Sequence, residues 1–348
     1  MLKYSLGIDV SKRDLHACLS AIDSSQQVKV KASRRFANQQ QGFKELMFWI
    51  SNHRKEKAVP LIIVMEATGV YYEACALHLF KAGLDVAIIL PNKAKKYLQA
   101  VGLKSKNDKI DATGLARMGA QQCLELWQPM DEFFYTLRAL TRHHQSLQEM
   151  RTNFRNQLHA DEHSIYSNKK VMKQLKKLII TIEKETKEIE QEIDRHLCSK
   201  PEIAEKIKHL TGIKGIGLLT IATILGETNG FALFSSIPQL VSYAGYDIVE
   251  SQSGKHTGKT RISKKGNSRI RRTLHMPAFN MIRYEVGNFK PFFDRILEKH
   301  HQKMKAYVAV QKKLLVLIYT LWRKNEPFCP LPIKKESSGE KELVSSFA

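Results

Sequence analysis

The chain has 348 residues, 43% of them hydrophobic, a length and apolar content that suggest two domains with buried cores joined by a helical segment. With 56 Lys and Arg against 34 Asp and Glu it carries a formal charge of +22, which favours a polyanionic partner, nucleic acid foremost, over a small acidic substrate. Five scattered cysteines without a CxxC pair speak against a disulfide framework or a zinc site, and no basic leader or run of about eighteen apolar residues suggests a membrane anchor, so a cytoplasmic protein is expected.

Residues 3–11, KYSLGIDVS, alternate as a strand does; after the polar KRD, HACLSAI is a second strand and VKVKASRRF a third. Phe43, Leu46, Met47 and Ile50 then predict a helix between Gln39 and His53. An apolar strand from Leu61 to Ala67, a helix from Tyr71 to Lys81, a strand from Asp85 to Leu90 stopped by Pro91, and helices starting near 93 and 109 complete the first domain. Three meandering strands followed by strand–helix alternation is the order of an RNase H or RuvC-like fold; a plain α/β domain more often opens βαβ.

From Leu137 to Leu197 apolar residues recur by threes, fours and sevens, with a break between His159 and Lys170, which predicts an antiparallel helical pair. The stripe suits either an intramolecular core or a dimerising coiled coil. LTGIKGIGLLTIATILGE at 210–227 opens a third, mainly helical region, followed by a basic loop and helices over roughly 267–285 and 299–324. The expected organisation is an α/β domain over 1–130, a helical linker over 131–200, an α-helical domain over 201–328 and a Lys-, Glu- and Ser-rich mobile tail over 329–348.

Asp9 stands in the middle of the first predicted strand, between Ile8 and Val10, where an acid is disfavoured unless its charge is compensated. Glu66 ends the fourth strand, and the RuvC-like order places that end beside the first strand's centre. Asp108 and Asp111, three residues apart at a helix start, project from one face. Either acid of that pair alone is most simply a helix cap. Four acids converging from two strands and a helix can instead hold two Mg²⁺ ions, which suits in-line phosphodiester chemistry.

At these residues the sequence resembles the DEDD-type insertion-sequence transposases, which include Piv-like DNA invertases and bridge-RNA-guided recombinases. The matching stretches are GIDVSK at 7–12, MEATGVY at 65–71, KNDKIDA at 106–112, LTGIKGIG at 210–217, YAG at 243–245, SG at 253–254 and RISKKGNSRIRRTLHMPA at 261–278. The resemblance implies an acid set of Asp9, Glu66, Asp108 and Asp111 binding Mg²⁺, and a C-terminal serine that attacks the DNA backbone. It further implies a structured guide RNA, DNA element ends and a DNA target as partners, and a homo-oligomer, dimer or tetramer. Counting forward from YAG without a gap selects Ser253 rather than Ser251 as the serine.

Between Gly254 and Arg272 stand eight basic residues and no acid: Lys255, Lys259, Arg261, Lys264, Lys265, Arg269, Arg271 and Arg272. Such a run is often only a solvated face, but beside a serine nucleophile it would clamp the scissile phosphate. TGIKGIG resembles a helix-hairpin-helix turn in which Gly215 and Gly217 let backbone N–H groups approach a phosphate; a tight core turn is the plainer alternative. A water-using RuvC-like nuclease or Holliday junction resolvase, and a non-catalytic basic binding protein, are the competing functions.

Overall fold

The computed structural model describes residues 1–102, 107–250, 252–253, 256–258 and 261–329. It divides into two compact units, residues 1–129 and the chain from Met130 onward. The expected tail from residue 330, together with Ser251, Gly254, Lys255, Lys259 and Lys106, lies outside the described residues.

The first unit opens with β1 (Lys3–Val10), β2 (Asp14–Ile22) and β3 (Val28–Ala37), then α1 (Gln40–His53), β4 (Leu61–Glu66), α2 (Glu73–Lys81), β5 (Asp85–Ile89), α3 (Pro91–Ala100) and α4 (Asp108–Gln121). The strands form one sheet ordered β3-β2-β1-β4-β5. β1 pairs antiparallel with β2 and parallel with β4, and β5 is parallel to β4. This mixed order is the one that the meander-then-alternation reading requires.

β1 is covered on both faces. Its large apolar side chains, Tyr4, Leu6 and Ile8, share a core with Phe43, Leu46 and Trp49 of α1 and with Cys75 and Leu79 of α2. The alternate positions, Ser5, Gly7 and Asp9, face α4. A Cβ built on Gly7 would stand 2.1 Å from the Ala112 carbonyl oxygen and 2.2 Å from the Ala116 nitrogen, and one on Gly119 would stand 2.4 Å from the Ser5 hydroxyl oxygen. Glycine and alanine at the crossing let α4 lie nearly backbone to backbone on β1, and that closeness positions the acids.

The second unit contains α5 (Glu132–Glu162), α6 (Lys169–Cys198), α7 (Pro201–Thr211), α8 (Leu218–Thr228), α9 (Ile237–Ala244), the two-residue strands β6 (Ile248–Val249), β7 (Gln252–Ser253), β8 (His256–Thr257) and β9 (Arg261–Ile262), and then α10 (Ser268–Thr273), α11 (His275–Arg283), α12 (Phe289–His300) and α13 (Lys303–Lys324). Ion pairs Lys176–Glu162 and Arg155–Glu183 and the hydrogen bond between His144 and Glu190 show that α5 and α6 run antiparallel. Leu147, Leu175, Ile179 and Ile182 are buried within this one chain, and Leu137, Ile193 and Leu197 join the core of the helices that follow. No helix among the described residues is long and apolar enough to cross a membrane.

Three details differ from the sequence reading. The helix expected over 267–285 is two helices that break at Leu274, and α12 was not anticipated at all. Pro277 and Pro291 are the common cause: each occupies the third position of a new helix, where an N–H would have no intrahelical partner. The basic loop, expected to be irregular, contains short paired strands, β6 with β9 and β7 with β8. Edges so short carry almost no period-2 signal.

Candidate active site

Asp9 is the penultimate residue of β1, not its centre as the sequence suggested. Glu66 is the last residue of β4, and the parallel register that pairs Ile8 with Met65 sets Glu66 level with Asp9. Both acids therefore stand at the C-terminal ends of two neighbouring parallel strands. α4 brings the other two: the Asn107 side chain accepts a 2.8 Å hydrogen bond from the Ile110 N–H, which starts the helix so that Asp108 and Asp111 fall in its first turn. Carboxylates are favoured there by the orphan N–H groups of the helix end.

Burial, then repulsion by Asp108, Asp111 and Glu66, raises the Asp9 pKa to about 6. The other three expected acids thus lie within electrostatic reach of Asp9, and of them Asp108 comes close enough to share a small ligand cluster with it. A hydrogen bond of 3.5 Å from the Thr68 hydroxyl reaches Glu66 Oε1. One residue absent from the sequence reading joins them. His16 of β2 is the direct cross-strand partner of Asp9, and its Nδ1 lies 3.4 Å from Asp108 Oδ2. The spacing between Asp9 and His16 depends on the β1–β2 turn, so no local motif announces it.

In the second unit, Ser253 is exposed on β7, and its residue pairs in register with His256 of β8. Arg261, Lys264 and Lys265 are exposed nearby in sequence. The remaining described members of the basic run are engaged by the protein itself. Arg271 donates to the Ala244 carbonyl at 2.8 Å, Arg272 is paired with Glu149, and Arg269 Nε lies 3.9 Å from Glu227. Gly215, with φ of +95°, turns the chain between α7 and α8, and a Cβ there would stand 2.7 Å from Asn280 Cβ. Gly217 precedes α8 with open space around it.

Glu227 anchors the basic segment from within. Its side chain is 1% exposed. It accepts hydrogen bonds from Arg142 Nε at 2.7 Å, Arg142 Nη2 at 2.9 Å and Asn267 Nδ2 at 2.7 Å. Burial by itself would raise its pKa, but these hydrogen bonds and the charges of Arg142 and Arg269 outweigh it and hold the carboxyl below its usual range. Glu227→Gln is expected to destabilise the protein by about 3 kcal/mol, because it leaves a guanidinium without its buried partner. The loss should shrink only as pH falls through the depressed pKa of the native carboxylate, below the ordinary carboxylate range. Urea unfolding of both proteins across that pH range checks this.

A mixed β3-β2-β1-β4-β5 sheet with acids at its strand ends, followed in one chain by a helical unit with a basic segment, is the arrangement expected of a RuvC-like domain joined to a mainly helical one. A transposase profile of the DEDD type matches residues 6–161, and one described as Transposase IS116/IS110/IS902 family matches residues 207–294. The pilin gene-inverting protein of Moraxella bovis is 31% identical over 329 residues, covering 94% of this chain and 98% of its own. That of Moraxella lacunata is 30% identical over the same length. The chain belongs to the IS116/IS110/IS902 transposase family, whose members cut DNA strands and transfer them. Among solved structures, Thermus thermophilus RuvC aligns at 14% identity over 36% of this chain and 99% of its own, with a TM-score of 0.28. At that level the sheet order, not the alignment, defines the fold.

Proposed function

We propose that this transposase cuts and rejoins DNA through divalent ions, Mg²⁺ by preference, held by Asp9, Glu66, Asp108 and Asp111, with Ser253 as the nucleophile. The observation that carries the reading is the placement of Asp9 and Glu66 level with each other at the ends of two neighbouring parallel strands, with Asp108 and Asp111 in the first turn of the helix that packs on β1. Carboxylates offered from two strand ends and a helix start supply the oxygen donors that a hard divalent cation takes. Bound ions would supply Lewis acidity toward a backbone phosphate.

Attack by the Ser253 hydroxyl oxygen on phosphorus would exchange one phosphodiester for another. The serine loses its proton, the DNA strand leaves as a hydroxyl, and the reverse step rejoins it with no external energy source. The acids belong to a catalytic domain over 1–130, the serine to a transposase domain over 201–328, with 131–200 as the helical linker and 329–348 as a tail. DNA element ends and target, a structured guide RNA and a homo-oligomer, dimer or tetramer, complete the reading, in the cytoplasm where element DNA resides. Gly215 and Gly217 form a helix-hairpin-helix-like turn at the backbone, and Lys255, Lys259, Arg261, Lys264 and Lys265 are the phosphate-binding cations, of which Arg261, Lys264 and Lys265 are exposed.

The experiment is incubation with DNA carrying the recombination site and Mg²⁺, followed by digestion and mass spectrometry. A nucleotide adduct on Ser253 is expected, and none from Ser253→Ala. Normal recombination by Ser253→Ala with no adduct on any serine would defeat the mechanism in favour of a water-using nuclease. Structured RNA should copurify with the protein from native cells.

The basic segment yields a separate expectation. Removing the charges of Arg261, Lys264 and Lys265 should lower the log-log salt slope of duplex binding by about 0.9 for each phosphate that the protein no longer neutralises. Arg271→Gln, whose guanidinium holds the Ala244 carbonyl, should leave the slope nearly unchanged. An unaltered slope in the triple variant would make the run a solvated face.

A further inference from the structure

We propose that His16 is a nitrogen donor to a divalent ion of the carboxylate centre, so that the centre is mixed oxygen and nitrogen and not all oxygen. The inference rests on the metal reading above. Direct antiparallel pairing with Asp9 sends the two side chains out of the same face of the sheet, the face on which α4 lies. Asp108 approaches from the first turn of that helix, its Oδ2 3.4 Å from His16 Nδ1. One donor atom from each of Asp9, His16 and Asp108 can be chosen so that all lie within 4.8 Å of one another.

The 3.4 Å separation of His16 and Asp108 suits ligands of a common ion. With metal–ligand bonds of about 2.1 Å, adjacent octahedral donors stand about 3 Å apart and opposite ones about 4.2 Å. The His16 side chain is 23% exposed, withdrawn from solvent in the way of a ligand and not of a surface histidine. On its other side β3 places Arg35, which is paired with Asp14. The imidazole is thus left facing the acids.

An imidazole donor shifts preference from Mg²⁺ toward Mn²⁺ and later first-row ions, whereas carboxylates alone do not discriminate in that direction. The test titrates metal-free, full-length wild type, His16→Gln and Asp9→Asn with Mg²⁺ and Mn²⁺, and records pulsed electron paramagnetic resonance of the Mn²⁺ samples. In the wild type a directly bonded ¹⁴N coupling is expected, converted to a ¹⁵N coupling when histidine is ¹⁵N-labelled. This arm requires no variant to fold. His16→Gln should lose the coupling and bind Mn²⁺ about tenfold more weakly, with a smaller change for Mg²⁺.

Mn²⁺ bound in the wild type without histidine nitrogen coupling overturns the His16 inference and leaves the carboxylate centre standing. So does a His16→Gln protein that loses both metals equally, which would make His16 a support for Asp108 only. No Mn²⁺ binding in the wild type, or equal binding by Asp9→Asn, overturns the carboxylate centre itself.

Discussion

Asp9→Asn is expected to lower strand cutting about a thousandfold while making the metal-free protein more resistant to heat. The loss follows from removing one charge from a ligand set that orients reacting oxygens. The gain follows from the raised pKa of Asp9, which reflects its burial and then repulsion by Asp108, Asp111 and Glu66. A carboxyl that binds its proton more tightly folded than unfolded penalises the fold when ionised. The penalty is absent below about pH 4, grows as pH rises, and is complete above about pH 6. Asp9 is half-buried, so solvent screening reduces the cost to about 1–2 kcal/mol, or roughly 5 °C in the melting temperature of the first unit. Calorimetry in chelator at pH 4 and pH 7.5 should therefore show the two proteins equal at the lower pH and the variant more stable at the higher. Saturating divalent metal should reverse the order. Glu66→Gln, Asp108→Asn and Asp111→Asn should share the activity loss, and full activity in any two of the four variants would end the four-ligand reading.

The second large effect is expected from one methyl group. Gly7→Ala puts a Cβ about where the Ala112 carbonyl oxygen and the Ala116 nitrogen already stand, 2.1 and 2.2 Å away. The obstacle is backbone on both sides, so no rotamer change relieves it, and α4 must move off β1. Overpacking of this kind costs about 3 kcal/mol or more. Because the first turn of α4 carries Asp108 and Asp111, displacement of the helix separates them from Asp9 and Glu66. Activity should fall at least about a hundredfold even where the protein remains folded, since misplacement by about 1 Å has that effect. Gly217→Ala, whose new methyl meets open space, is the control for the thermal melts. Thermal melts together with a cleavage assay decide the matter: a Gly7→Ala protein of native stability and activity would show that α4 is free to move.

Much of the active region is written locally. The order of strands and helices in the first unit follows from hydrophobic period, and Asp108 and Asp111 share a face because three residues is almost one helical turn. Asp9 and Glu66 are legible because an acid in or at the end of an apolar strand is costly unless compensated, whereas Asp108 and Asp111 join them through their helix-start spacing and the family resemblance.

What the chain alone does not contain is which distant positions meet. Asp9 pairs with His16 because of where the β1–β2 turn closes, and the register then decides every partner along both strands. The need for glycine at position 7 arises only when α4 crosses it, 105 residues before Ala112 in the numbering, and nothing in GIDVSK records that approach. The basic run reads as eight equivalent cations, yet Arg271 and Arg272 are turned to Ala244 and Glu149, and Asn267 reaches a carboxylate buried on α8. Composition and spacing thus determined the kind of protein: a basic two-unit chain with a RuvC-like sheet and an acid set. Only the tertiary structure decided which side chains share the acids' face and which charges remain outward, because period and propensity act within a few residues while packing joins residues more than a hundred apart.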